Sequence, residues 1–225
     1  MKLKVMFVFG FAPLCVQGAV ITGNLLTNPG AETGSIAGWT VGGTSNPSVD
    51  NGVFDPGINP HTGNWAFFGH TGASGTLSQT LSLTGISGIT NALIDSGTLL
   101  ANLSFWAQGL NQGTPSDDSS ITLTFLDGSF SMLTSVTTPE IDSHNLTWQN
   151  YMNSYTVPVS TRSITYTMTF IRHVGNDNDS FIDDNSLTLG TAASSVPEPA
   201  TFSLLGGALG SLLAASLLRR QSGRC

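Results

Sequence analysis

Apolar and polar residues alternate along much of this chain with a period of two, not with the period of 3.6 that a helix requires. The alternation is clearest in four segments, 77–83, 101–107, 121–125 and 164–170. In the last of these, the apolar residues Ile164, Tyr166, Met168 and Phe170 are separated by threonines. This is the pattern of a strand with one buried face, so each segment is predicted to be a strand.

Four further strands are expected at 39–42, 64–69, 150–157 and 181–189, with Gly, Pro, Asn and Ser between the strands. Short strands that each have one apolar and one polar face are typical of antiparallel sheets with one solvated side. Residues 19–190 are therefore predicted to form an all-β domain, a two-sheet antiparallel β-sandwich of the jelly-roll type. Residues 191–196 are predicted to be a linker.

Residues 1–18 have the three parts of a secretory signal peptide. Lys2 and Lys4 give a positive start, residues 5–14 are apolar, and residues 16–18 offer a cleavage site. About ten apolar residues are too few to cross the ~30 Å hydrocarbon core of a bilayer, which argues against a membrane anchor at this end. The protein is therefore predicted to be exported.

The other end combines a short motif, an apolar run and a basic cluster. Pro197-Glu198-Pro199 is followed by 19 residues without charge, 200–218, and then by Arg219 and Arg220. A helix of that length spans about 28 Å, enough to cross a bilayer core. Because Arg favours the cytoplasmic side, the Arg pair predicts that the domain lies on the opposite side of the membrane.

This tail closely resembles the PEP-CTERM sorting signal of bacterial surface proteins. The resemblance covers residues 196–220, and the signal itself is predicted to occupy 197–220. In that family an exosortase recognises the tail, and the protein is delivered to the cell surface or extracellular matrix. The resemblance therefore implies an exosortase-type partner and a membrane helix that is processed after sorting. A permanent C-terminal membrane anchor is the alternative.

Charge is unevenly distributed. Between residues 19 and 196 there are 13 Asp or Glu and two cations, Arg162 and Arg172, which gives a formal charge of −11. Nucleic-acid binding requires clustered Lys and Arg, so a nucleic-acid partner is excluded. Cys15 and Cys225 both lie outside the domain, so the sequence predicts neither a disulfide nor a thiol ligand within it.

Motifs at both ends of the domain carry a second resemblance. The domain opens with NLLTNPGAE at 24–32, followed by Gly38-Trp39, and its last strand reads FIDDNSLTL at 181–189. Between them lie GNWA at 63–66, LSQTL at 77–81 and LSFWA at 103–107. This order of motifs resembles the galactose-binding-like jelly rolls of carbohydrate-binding modules and covers nearly the whole domain. The resemblance implies an extracellular polysaccharide as the ligand.

Asp183 is the first candidate for a metal ligand, because period two places it on one strand face with Phe181 and Leu187. That face is expected to point inward, and a buried carboxylate needs a cation or a raised pKa. With so few basic residues, a metal ion is the natural partner, and oxygen ligands favour Ca²⁺. In the resembling modules a Glu near the first strand and an Asp on the last strand hold a structural calcium, which implies this role for Glu32 and Asp183. The alternative is a half-exposed Asp183 that accepts backbone hydrogen bonds.

Trp106 is the candidate ligand-binding residue. It shares the polar face of its strand with Asn102, Ser104 and Gln108. An aromatic ring among amides and hydroxyls is suited to stacking against a sugar ring. The alternative is a Trp106 covered by a loop, since Trp is usually mostly buried.

Two other polar features predict no site. Segment 175–180, GNDNDS, lacks the spacing of an EF-hand loop and is expected to be a solvated turn. The histidines are too scattered along the sequence for a zinc site recognised by spacing: they are His61, His70, His144 and His173.

Together these features favour a non-enzymatic surface protein that binds or organises extracellular polysaccharide, with a structural calcium. The alternative is a purely structural matrix or adhesion protein with no sugar pocket. A polysaccharide hydrolase is a third hypothesis. It would need two carboxylates about 5–10 Å apart as acid and base, and no pair in the sequence is set apart for those roles.

Overall fold

The computed structural model describes residues 19–141 and 147–192, which belong to one compact unit, Gly18–Ala192. The strands are β1 (Thr40–Gly43), β2 (Ser48–Asp50), β3 (Ala66–Thr71), β4 (Ser74–Ser82), β5 (Leu99–Gly109), β6 (Asp118–Leu126), β7 (Met132–Thr137), β8 (Gln149–Thr156), β9 (Ser163–Ile171) and β10 (Asp177–Thr191). One short helix, α1 (Asn91–Asp95), precedes β5. Within the described ranges, no helix is long and apolar enough to cross a membrane. The predicted signal peptide, 1–18, and sorting signal, 197–220, lie outside the described residues.

The strands form two five-stranded antiparallel sheets. The order is β1-β4-β9-β6-β7 in the first sheet and β2-β3-β10-β5-β8 in the second. From β3 to β10 the chain changes sheet at every connection except the one between β6 and β7. This is the strand order of an eight-stranded jelly roll, with β1 and β2 added at two edges. The predicted all-β sandwich is confirmed.

The core fills the space between the sheets and consists largely of the apolar residues of the predicted alternating segments. Its largest fully buried side chains include Leu77, Phe105, Ile121, Phe125, Tyr166 and Phe170. Burying a side chain of this size is worth about 1.5–3 kcal/mol, so this layer supplies most of the attraction between the sheets.

Many of the solvent-facing residues of the alternating strands are threonines. On the first sheet, the Thr80 and Thr165 hydroxyls of paired strands are 2.8 Å apart, and those of Thr122 and Thr137 are 2.9 Å apart. The β-branched side chain suits a pleated surface, and the hydroxyl keeps that surface polar.

The outer face of the second sheet has a covered part and an open part. Loop 51–65 lies over the covered part, where Ile58 packs against Phe68 and Phe181 in a second, smaller apolar cluster. The open part lies over β10, β5 and β8, and the next section describes it. The candidate site lies where the covered part meets the open part.

Several boundaries differ from the sequence prediction. Strands β2 and β7 were not predicted, because β2 has three residues and the mostly exposed β7 lacks a buried apolar face. The solvated turn predicted at 175–180 is wrong in its second half, since Asn178, Asp179 and Ser180 are buried residues of β10. Strand β10, Asp177–Thr191, begins four residues before the predicted strand 181–189 and ends two residues after it.

Candidate functional site

A bulge in β10 decides which way Asp183 points. Between Asp183 and Ser186, β10 has one residue more than its partner β5. An extra residue reverses the faces on the two sides of the bulge. Asp183 therefore lies on the outer face of the sheet, whereas Leu187 lies in the core. The prediction that they share an inward face is wrong, yet Asp183 is fully buried, because loop 51–65 covers it.

Two neighbouring carboxylates hold the end of this loop. The Asp183 Oδ2 atom accepts hydrogen bonds from the backbone N–H groups of His61, at 2.9 Å, and Thr62, at 3.2 Å. Asp184, at the bulge with φ +48°, places Oδ2 2.6 Å from the His61 Nδ1 atom. Its Oδ1 atom accepts a hydrogen bond from the Thr62 hydroxyl at 2.5 Å. Both the main chain and the side chains of 61–62 are therefore fixed by β10.

Glu32 holds the following residues of the same loop. Its carboxylate accepts the backbone N–H of Asn64 at 3.0 Å and that of Trp65 at 3.1 Å. Between His61 and these residues lies Gly63, whose φ is +64° and whose added Cβ would lie 2.3 Å from the Glu32 carboxyl carbon. Only glycine fits this position, so the loop can wrap closely around the carboxylate.

Glu32 and Asp183 both lie close to Gly30. A Cβ added to Gly30 would lie 3.3 Å from Asp183 Oδ1 and 3.9 Å from Glu32 Cγ. Burial raises the pKa of Asp183 to about 7, although the backbone N–H groups that it accepts act to lower it. A fully buried carboxylate whose oxygens accept backbone N–H groups offers the type of ligand atom that a hard cation such as Ca²⁺ takes.

Trp106 lies on the outer face of β5, directly opposite Asp183. The His61 ring stacks on it, with ring centroids 3.9 Å apart and an interplanar angle of 19°. Trp148 meets His61 edge-on at 5.8 Å, and its Nε1 donates to the carbonyl of Asn59 at 3.0 Å. One face of Trp106 is therefore covered by the loop, while the residue stays partly exposed.

A groove of about 460 Å³ opens on the outer face of the second sheet, and Trp106 is not among its lining residues but lies two residues beyond one of them, Ser104, on β5. It is lined by Asn102, Leu103, Ser104, Met152, Asn153, Ser154, Ser186 and Thr188. The Ser154 hydroxyl donates to Asn102 Oδ1 at 2.8 Å, and Asn102 Nδ2 donates to the Thr188 hydroxyl at 3.5 Å. This network joins β8, β5 and β10, and none of the lining residues is charged.

Sequence reasoning found part of this site. It placed Trp106 on a polar face with Asn102 and Ser104, and all three lie on the outer face of β5. It did not place His61 at the site. The sequence gives little indication that His61 belongs to the site, because loop 51–65 has no periodicity. Only the fold brings this loop onto β5.

No protein-family model and no curated protein matches this chain. Among solved structures, the enzymatically active domain of tailspike protein 4 from bacteriophage CBA120 is similar with a TM-score of 0.53 and 19% identity, over 74% of this chain and 21% of its own. This chain thus spans about a fifth of the tailspike chain.

Two carbohydrate-binding modules are also similar. TmCBM61, solved in complex with beta-1,4-galactotriose, has a TM-score of 0.49 and 26% identity, over 74% of this chain and 98% of its own. A family 16 carbohydrate-binding module has a TM-score of 0.49 and 17% identity, over 73% of this chain and 99% of its own. The tailspike likeness supports the fold.

Proposed function

We propose that this domain is a non-catalytic carbohydrate-binding module that holds a polysaccharide in the groove over β10, β5 and β8. The observation that carries the proposal is the groove itself, which is open, about 460 Å³ in volume and lined by amides and hydroxyls. These groups both donate and accept hydrogen bonds, as the hydroxyls of a sugar do. The groove crosses three neighbouring strands and is open to solvent, so an extended chain can reach it.

The charge of the domain favours a neutral polysaccharide over an acidic one. The groove has no charged lining residue, and the domain around it is strongly acidic. Of its two arginines, Arg162 pairs with Asp95 at 2.9 Å and Arg172 donates to the carbonyl of Asn176 at 2.5 Å. Carboxylated or sulfated polymers would therefore meet repulsion with no cation in the groove to offset it.

Two side chains supply apolar surface for the sugar. Trp106 is two residues beyond Ser104 on the same strand face, about 7 Å along β5, and stands at one end of the groove. Met152 lines the groove from the edge strand β8 and is 74% exposed. An aromatic ring and a polarizable thioether both pack well against the CH faces of a sugar ring.

We further propose that Glu32 and Asp183 bind a structural calcium ion. The fit described above supports this, since a buried carboxylate without a basic partner gains most from a divalent cation. The ion would lie beneath loop 51–65 and so would hold His61 against Trp106. Its role would be to shape one end of the groove.

The absence of catalysis is part of the proposal. Asp183, Asp184 and Glu32 each hold loop 51–65 through hydrogen bonds, and none of the three lines the groove. Such groups are fixed in place and are not aimed into the groove as an acid and a base. The hydrolase hypothesis requires turnover of a polymer that the domain binds.

The setting of the domain is also proposed, on the sequence alone. The N-terminal signal peptide and the PEP-CTERM-like tail support export and sorting by an exosortase-type enzyme to the cell surface or matrix. Membrane attachment through the C-terminal helix would be at least transient. A polysaccharide of that matrix is then the natural ligand.

The test is binding of the purified protein to a panel of neutral and acidic polysaccharides, measured with calcium present. We expect saturable binding to a neutral polymer, competed by its oligosaccharides, and no release of sugar. Asn102→Ala should weaken binding about 10-fold, the value of one hydrogen bond to the ligand. Met152→Ala should weaken binding several-fold, whereas Met132→Ala, an equally exposed Met on the edge strand β7 of the other sheet, should not.

Three results would overturn the proposal. Binding that survives both Asn102→Ala and Met152→Ala would place the ligand elsewhere. Absence of binding by folded protein would favour the structural matrix protein. Release of sugar that a carboxylate substitution abolishes, with the fold intact, would favour the hydrolase.

A further inference from the structure

Three metal-ligating side chains converge at one end of the first sheet, away from the groove. Asp118 is the first residue of β6, Glu140 follows β7, and His173 follows β9. One ligand atom from each lies within 4.8 Å of the other two. His173 Nε2 is 3.0 Å from Asp118 Oδ2. Neither the sequence motifs nor the proposed sugar site accounts for this cluster.

Strand register sets the positions of Asp118 and His173. Asp118 is paired with Ile171 across β6 and β9, so His173 emerges two residues beyond the end of that pairing. Asp117 then fixes the main chain there, because its Oδ1 atom accepts the backbone N–H groups of His173 at 2.7 Å and Val174 at 3.0 Å. Asp117 is fully buried, so this support is rigid.

Glu140 is brought to the same place by a segment that follows the edge of β6. The Thr138 N–H donates to the Ile121 carbonyl at 2.9 Å, and the Ile141 N–H donates to the Ser119 carbonyl at 2.9 Å. Glu140 lies between these two bonds, next to Asp118 in space. Its exposed side chain can adjust to an ion while its backbone is held on both sides.

We infer that Asp118, Glu140 and His173 form a site for a zinc-class divalent metal ion. An imidazole nitrogen with two carboxylates is a donor set of Zn²⁺, whereas Ca²⁺ takes oxygen ligands. Bonds of about 2.0–2.2 Å in a tetrahedral arrangement separate the ligand atoms by about 3.3–3.6 Å. The His173–Asp118 distance is close to that, and the exposed Glu140 side chain, whose ligand atom lies within 4.8 Å of the other two, can move to complete the set.

The ion would tie three segments together. It links the start of β6 and the end of β9, which are hydrogen-bonded neighbours, to the segment after β7, which meets the sheet only at its edge. Three protein ligands leave a fourth position for water. Asp117 acts on this site as a positioning residue, since it holds the backbone of His173 and does not itself reach the ion.

The experiment is a calorimetric titration of Zn²⁺ into the full-length protein, stripped of metal and then supplied with excess calcium to fill the Glu32–Asp183 site. We expect one equivalent of Zn²⁺ to bind and to raise the melting temperature. His173→Asn and Glu140→Gln should each weaken binding at least 10-fold. The matched control is His70→Asn, because Asn tolerates the φ of +63° at residue 70, and it should leave zinc binding unchanged.

The inference fails if no saturable zinc binding is found, or if binding is unchanged in both His173→Asn and Glu140→Gln. It fails equally if His70→Asn weakens binding as much, because zinc would then be collected by surface histidines in general. In each case the 3.0 Å contact between His173 and Asp118 serves only to hold the end of β9 in place. Sugar binding is measured separately and does not depend on either result.

Discussion

Asp183 is a carboxylate with no exposure to water and with three backbone N–H groups directed at its oxygens. The N–H groups favour the charged form of Asp183, whereas burial disfavours that form. The effect of burial is the larger of the two, and the pKa is raised to about 7. At neutral pH the group is thus poised between two states. A cation placed beside it would fix the charged state.

The first prediction concerns calcium at this residue. Calcium at about 100 times its dissociation constant should stabilise the fold by about 2.7 kcal/mol, which is about 5–10 °C in melting temperature for a domain of this size. Asp183→Asn should abolish this increase, because the amide is a much weaker calcium ligand. The measurement is thermal unfolding in calcium and in chelator.

Asp95→Asn is the control, because it removes an exposed carboxylate that pairs with Arg162 at the surface. This variant should keep the full response to calcium. Equal melting temperatures in calcium and chelator for metal-free wild-type protein would exclude the site at Glu32 and Asp183.

At the scale of elements, the bulge in β10 does more than turn Asp183 outward. Its third residue, Asn185, is directed between the sheets, where its Oδ1 atom accepts the hydroxyl of Tyr166 from β9 at 2.7 Å. Its Nδ2 atom donates to the carbonyl of Pro29 at 2.8 Å. One side chain thus connects the two sheets and the N-terminal segment that carries Glu32.

The second prediction tests that connection. Tyr166→Phe should lower the free energy of unfolding by about 1–3 kcal/mol, because it leaves the buried Asn185 Oδ1 atom without its donor. Tyr155→Phe is the matched control, since the Tyr155 hydroxyl meets that of Tyr151 in a partly exposed position. Urea unfolding measures both. Equal losses in the two variants would show that the buried bond contributes nothing particular.

At the scale of the whole molecule, the excess of acidic residues places some carboxyl groups so close together that their charges repel one another. Asp55 and Asp179 are both buried and share a hydrogen bond between their carboxyl groups. Burial first, and then the charge of Asp179, raise the pKa of Asp55 to about 7. The pKa of Asp179 is also raised, by burial and by the charge of Asp117. These carboxyls and Asp183 bind protons more readily in the folded chain than in the unfolded one.

The third prediction is the pH dependence that results. Because the folded pKa values lie above the unfolded value of 3.8, their stabilising contribution is complete below about pH 4 and is lost as the pH rises through about 7. The metal-free protein should therefore melt at a lower temperature at pH 8 than at pH 5. Asp55→Asn should reduce this difference and stabilise the protein at pH 8 by at most about 4 kcal/mol, because raising a pKa from 3.8 to about 7 costs about 1.4 kcal/mol per pKa unit.

The pH series also separates the two regions. Calcium should remove the share of the pH dependence that belongs to Asp183 and leave the share that belongs to Asp55. A metal-free protein whose melting temperature rises from pH 5 to pH 8 would contradict the assignment of raised pKa values to these groups.

Period two was sufficient to locate the central strands, because each had to bury one face between two sheets. Segments 101–107, 121–125 and 164–170 fall within the observed strands β5, β6 and β9, and segment 77–83 falls within β4 except for Leu83, which follows the strand. The pattern failed where that constraint is absent. Strand β7 is exposed at an edge and shows no alternation, and the bulge in β10 changes the face of Asp183 without leaving a mark in the pattern.

The sequence by itself determined the class of fold and the acidic character of the domain. Alternation depends only on neighbouring positions, and net charge is a sum over the residues of the chain, so neither needs the tertiary structure. It also named Glu32, Asp183 and Trp106. Only the tertiary structure decided what those residues meet: loop 51–65 over Asp183, His61 against Trp106, and a groove assembled from three strands. The cluster of Asp118, Glu140 and His173 has no local signature at all. Its members are separated along the chain, and strand pairing alone brings their ligand atoms within reach of one ion.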